Sequence, residues 1–218
     1  MAARKEFDRG LADMAQLLMR MGRHVGQALG VAMETLKNGD VARAEQIRKD
    51  DAALNEQEAQ IHEMATRLIL TQQPVAKDLR RILAALRIAS DLERMGDLAM
   101  GVARTTIRLG GEPLIKPLVD LPRMAEIAVS MIADAIRSFA EENVDLAYKM
   151  ARQDDQVDDL FAQVVFELET VMAKNPAAIR QCVQLAFAAR YVERIADHAT
   201  NIGESVIYLV TNRRPDLN

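Results

Sequence analysis

The chain repeats itself, and that repetition limits the fold more than any other feature. Leu92-Glu93-Arg94-Met95-Gly96-Asp97 aligns with Val192-Glu193-Arg194-Ile195-Ala196-Asp197, and Arg80 with Arg180, at an offset of 100 residues. Asp51-Ala52-Ala53-Leu54-Asn55 aligns with Asp154-Asp155-Gln156-Val157-Asp158 at an offset of 103, and Asn38-Gly39-Asp40 with Asn143-Val144-Asp145 at 105. Loop insertions and deletions produce a drift of this size, so the spacing predicts a pair of similar units packed side by side or end to end.

Each unit reads as helical. Leu11, Met14, Leu18, Met21, Val25, Leu29 and Ala32 step by three or four, the period of one buried helix face. Lys37-Asn38-Gly39-Asp40 supplies a stop at the glycine and an N-cap at Asp40, after which Ile47, Leu54, Ile61, Leu68 and Ile69 continue as a second helix. Gln72-Gln73-Pro74 ends it, and a third helix is expected from Val75 to Leu109. Gly110 to Pro122 holds three of the six prolines and no helical period. Beyond that junction, helices are expected over Leu121 to Glu141, over Val144 to Ala173 behind an Asn143 cap, and over Pro176 to Asn212 behind an Asn175 cap. The expected fold is therefore all-α, with six helices in two tandem, internally repeated three-helix bundles: residues 1–110, a linker over 111–120, and 121–218. Composition agrees, because aromatic content is 4%, Trp is absent, and Ala, Leu, Ile, Val and 12 Met carry the apolar quota. Met14, Met19, Met21 and Met33 are expected to fill core rather than form an adaptable docking surface.

The same sequence excludes several functions. A formal charge of −4 gives no overall attraction to nucleic acid or anionic lipid. One cysteine, Cys182, rules out an intramolecular disulfide and a cysteine-rich zinc knuckle, and its flanks suggest buried filler. No stretch is apolar for long enough to span a bilayer, and no apolar run follows the charges at the start, so the expected compartment is the cytoplasm. A phosphate-cradling glycine loop, a Ser-His-Asp arrangement and the Glu-x-x-His pairs of di-iron bundles are not found, so an enzyme is not expected.

The chemistry that remains is carboxylate chemistry. Glu93 and Asp97 stand four apart on one helix face, within a row of Ile82, Leu86, Ala89, Gly96, Met100, Ala103 and Ile107, and Glu193 and Asp197 repeat the pattern. Acids aimed at a core need partners. The preceding helix of each half carries another pair at the same spacing, Asp51 with Asn55 and Asp154 with Asp158. Antiparallel neighbours would gather these oxygen donors at one point, an environment suited to Mg, Mn, Ca or Fe ions. Ion pairing with Arg87, Arg94, Arg190 and Arg194 is the competing reading. Either way the first half carries less charge, because Asn55 stands where the second half has Asp158, and His198 is a candidate peripheral ligand beside Asp197.

Asp78-Leu79-Arg80-Arg81-Ile82, Asp91-Leu92-Glu93-Arg94-Met95-Gly96-Asp97 and Tyr191-Val192-Glu193-Arg194-Ile195-Ala196-Asp197-His198-Ala199-Thr200-Asn201-Ile202 closely resemble the PhoU family, over essentially the whole chain. The resemblance implies two tandem three-helix bundles, a homodimer, and divalent or multinuclear metal ions (Mg, Mn, Fe or Zn). The ligands it implies are Asp51, Glu93 and Asp97 in one half and Asp154, Asp158, Glu193 and Asp197 in the other. It further implies a negative regulator of the phosphate-starvation response and of phosphate uptake, placed between a phosphate ABC transporter ATPase and a membrane sensor histidine kinase. The first half departs from the pattern, since Asp97-Leu98-Ala99-Met100-Gly101 lacks the polar companions that follow Asp197. A metal-dependent phosphohydrolase and a metal-free helical scaffold are the alternatives.

Overall fold

The computed structural model describes residues 2–49, 52–213 and 215–217. Its described residues form seven α-helices: α1 (Ala2–Asn38), α2 (Val41–Lys49), α3 (Ala52–Gln72), α4 (Ala76–Leu109), α5 (Asp120–Glu141), α6 (Val144–Lys174) and α7 (Ile179–Thr211). A 3-10 turn, Pro176–Ala178, precedes α7. The expected second helix is described on either side of residues 50 and 51, as α2 and α3, and its counterpart α6 runs through 31 residues. The Asn175 side chain makes no cap, so the proline opens a tight turn before the α-helix proper.

Local chemistry sets the other ends. Gly39 and Gly110 adopt left-handed backbone, φ 66° and 68°, which L side chains rarely accept, and so close α1 and α4. Asp40 Oδ1 accepts from the Arg43 amide at 3.0 Å, and Asn143 Oδ1 from the amides of Asp145 and Leu146 at 3.0 and 3.3 Å, satisfying donors that a helix start leaves open.

Four helices form a closed ring in which α1 packs on α4, α4 on α7, α7 on α5, and α5 on α1. Helix α3 covers the α1/α4 side, α6 covers the α5/α7 side, and α2 rests on α4 and α1. Equivalent helices of the two repeats meet each other. Asp91 contacts His198 and Gly101 faces Tyr191, so α4 and α7 run antiparallel; Gly22 faces Ile136 and Gly26 faces Val129, so α1 and α5 do too. A pair of repeats related by a twofold axis packs in this way, each patch against its own counterpart. The repeats share one continuous apolar core that includes Met14, Met21, Leu92 and Met95 from the first and Met124, Met131, Val192 and Ile195 from the second. Met33 and Cys182 are buried in it as well, and Met19 is half-buried against it.

The segment between α4 and α5 is held against the second repeat. Gln181 donates to the Pro113 carbonyl at 3.1 Å and accepts from the Ile115 amide, Arg180 pairs with Glu112 at 2.7 Å, and Lys116 pairs with Glu167. No helix among the described residues is long and apolar enough to cross a membrane.

Candidate metal centre

Helices α6 and α7 are antiparallel neighbours joined by a short turn, so Asp154 and Asp158 on one come level with Glu193 and Asp197 on the other. Two of the four acids lie inside: Asp154 is 5% exposed and Glu193 7%. Asp197 is half-buried and Asp158 is exposed at the rim. Burial pushes the Asp154 carboxyl from its ordinary 3.8 up to about 7, and the negative charges of Asp158, Asp197, Glu193 and Asp155 push it the same way. Burial raises Glu193 from 4.5 to about 7, Asp197 adds to the shift, and Arg190 opposes it. Asp158 is also raised, first by desolvation and then by Asp197 and Asp155. The four carboxyls therefore form one electrostatic unit in which each negative charge disfavours the next.

Two oxygens in that unit are orphans. Asp154 Oδ1 and Glu193 Oε2 are buried without a hydrogen-bond partner, a costly state for a polar atom. Arg190 takes the other Glu193 oxygen and lies 5.9 Å from the centre of the Phe161 ring, so the competing ion-pair reading holds for one side of one acid. Hard oxygen donors, close like charges and unpartnered buried oxygens fit a divalent cation, which would satisfy the orphans and offset the repulsion together. Among the described residues no three Asp, Glu, His or Cys side chains already stand as a ligand set. Holding an ion requires side-chain rotation of the exposed Asp158 and half-buried Asp197 toward the buried pair.

The first repeat presents a different picture. Asp51 lies outside the described residues. Asn55 and Asp97 are exposed and Glu93 is half-buried, so this pair sits at the margin of the apolar stripe instead of within it. His198 turns away from Asp197: its Nδ1 donates to Asp91 Oδ1 at 3.0 Å across the α4–α7 seam, in a nearly buried pair. Its contact is thus between the repeats and not with the carboxylates. His62 is exposed near Glu58. The sequence reading missed two acids, Asp91, whose signal was only a shared buried seam, and Asp155, whose charge reaches both Asp154 and Asp158 from the next position along α6.

Comparison with known proteins places this geometry. Residues 18–106 and 121–206 each match the PhoU domain, so the repeat seen in the sequence is that domain twice. A phosphate-specific transport system accessory protein PhoU homolog of Clostridium acetobutylicum is 37% identical over 216 residues, covering 99% of both chains. The homolog of the same name from Aquifex aeolicus is 39% identical over 199 residues, covering 91% of this chain and 90% of that one. The crystal structure of PhoU from Pseudomonas aeruginosa superposes with a TM-score of 0.90 at 36% identity, covering 95% of this chain and all of that one. A phosphate transport system regulatory protein PhoU from Streptococcus pneumoniae gives 0.89 at 29% identity, covering 96% and 99%. With two such domains spanning nearly its whole length, the chain belongs to the PhoU family.

Proposed function

We propose that this chain is a non-enzymatic regulator of phosphate uptake that works in the cytoplasm as an adaptor, joining a phosphate ABC transporter ATPase to a membrane sensor histidine kinase and holding the phosphate-starvation response off. The observation that carries this role is the pair of PhoU domains at 37% identity over 99% of a named phosphate-transport accessory protein. A homodimer is part of the same reading. Long helices with broad outward faces suit such work, since they offer surfaces to partner helices without a catalytic cleft.

Metal ions belong to this reading as structural elements. Asp154, Asp158, Glu193 and Asp197 would hold a divalent or multinuclear centre, and Glu93, Asp97, Asn55 and Asp51 a weaker one. When bound, cations supply positive charge that offsets the mutual repulsion of the acids. The protein's own residues do the rest: Arg190 orients Glu193, and the buried walls around Asp154 keep water from screening the cluster.

Deleting the chromosomal copy should switch phosphate-responsive transcription on in phosphate-replete medium, and purified chain should retain the transporter ATPase or the kinase at near-physiological salt. Unchanged transcription together with capture of neither partner sinks the adaptor role. Elemental analysis of protein prepared without chelators tests the metal separately. Wild type should carry a divalent metal that the paired Asp154→Asn and Glu193→Gln variant lacks, and equal metal content in the two would remove the centre from the account.

A further inference from the structure

Outside the carboxylate cluster, the outward edge of the α4–α7 seam carries arginines that form no ion pair among the described residues. On α4, Arg87, Arg94 and Arg108 recur at seven-residue spacing, Gly101 takes the remaining place in the series, and Arg104 falls between. These positions share one helix face. All four arginines are exposed, and none forms an ion pair among the described residues. Arg104 donates only to the backbone carbonyl of Asp97, at 3.3 Å. Across the seam, the register that sets Asp91 against His198 and Gly101 against Tyr191 brings Arg194 level with Arg94; Arg194 is exposed and lacks an ion pair too.

The gap at Gly101 is filled from the other side. A Cβ there would stand 2.8 to 3.0 Å from the Tyr191 ring, so the absence of a side chain lets the half-buried tyrosine pack directly against α4. Further along α7, Phe187 and Val183 are 47% and 38% exposed, with Phe187 near the level of Arg104. Arginines interleaved with aromatic and apolar side chains are the composition of protein interfaces at their energetic centres, where guanidinium groups meet carboxylates in forked pairs. In a chain whose acids outnumber its bases by 32 to 28, leaving Arg87, Arg94, Arg104 and Arg108 without an ion pair among the described residues, with Arg194 reaching only the field of Glu193, is a feature that a partner's acids would complete.

We propose that this ridge docks an acidic helical segment of a partner protein, laid along α4 from Arg87 to Arg108. The span, about 32 Å at the α-helical rise, suits a helix of equal length with carboxylates on one face. A narrow ligand is favoured over a broad anionic surface because exposed Asp97, on α4 between Arg94 and Arg104, adds negative charge that the spaced carboxylates of a helix can avoid and a bilayer cannot. The proposal rests on reading the chain as a regulator that acts through protein contacts, but it uses none of the candidate metal ligands.

The test uses the full-length chain and a fluorescein-labelled helical peptide of about 21 residues with glutamates along one face, beside its glutamine counterpart. The glutamate peptide should bind and the glutamine peptide should not, with affinity falling as salt rises from about 50 to 300 mM. Arg87→Glu with Arg94→Glu should weaken binding by about tenfold or more. Arg20→Glu with Arg23→Glu, on α1, should leave it unchanged, and circular dichroism melts should show both variants folded. Vesicles of phosphatidylcholine with about 30% phosphatidylserine form the other arm. Failure of the glutamate peptide to bind at low salt, equal binding by the two double variants, or sedimentation with vesicles in place of peptide binding each overturns the proposal. Such a failure with transcriptional control intact would leave the regulatory role standing.

Discussion

At the scale of single residues, electrostatic strain is concentrated in Asp154 and Glu193. Both carboxyls are held near 7 in the fold, against 3.8 and 4.5 in an unfolded chain, so between about pH 4 and pH 7 the folded state binds more protons. Stability from this source is present at low pH and lost as pH rises through the folded values. The metal-free chain should therefore melt at a lower temperature at pH 8 than at pH 5.5, and a divalent ion should narrow that difference; a thermal scan at both pH values checks it. Replacing Asp154 by Asn should stabilise the metal-free chain at pH 8 by on the order of 1–3 kcal/mol, each kcal/mol moving the midpoint roughly 2–4 °C, while abolishing metal binding. A variant that melts lower at pH 8 would show that Asp154 is not under electrostatic strain. These two residues were legible in the sequence as a spacing on a helix. That they, and not their rim partners, are the buried ones was not, because burial depends on how α6 rolls against α5 and α7.

At the scale of elements, the α4–α7 seam decides how the repeats meet. Gly101→Ala places a methyl against the rigid Tyr191 ring, and overpacking of that kind costs about 1–3 kcal/mol, more than the helix propensity gained by losing a glycine. Urea unfolding should show the loss, whereas Gly30→Ala, with nothing within 4 Å, should be neutral or stabilising. Asp91→Ala leaves the buried His198 ring without its acceptor and should cost about 1–3 kcal/mol by the same measurement. The sequence placed the ends of the expected helices within a few residues, because glycine, proline and Asn143 punctuate them.

At the scale of the whole molecule, duplication made one core out of two incomplete ones. Each half alone would expose the apolar faces that α1 and α4 turn to α5 and α7. Residues 1–112 and 113–218 produced separately should therefore self-associate or melt without a sharp transition, and mixing them should restore a complex of native size by gel filtration with a cooperative melt. Two halves that each melt sharply as monomers would contradict the shared core. What the amino-acid sequence determined by itself was the helical class, the repeat and the identity of the paired acids, because helical period and residue spacing are local properties written along the chain. What only the tertiary structure decided was which acids are buried together, that His198 reaches across to Asp91 instead of joining them, and that Gly101 takes the Tyr191 ring. Those are relations between helices, fixed by how their surfaces interdigitate, and no single helix carries that information.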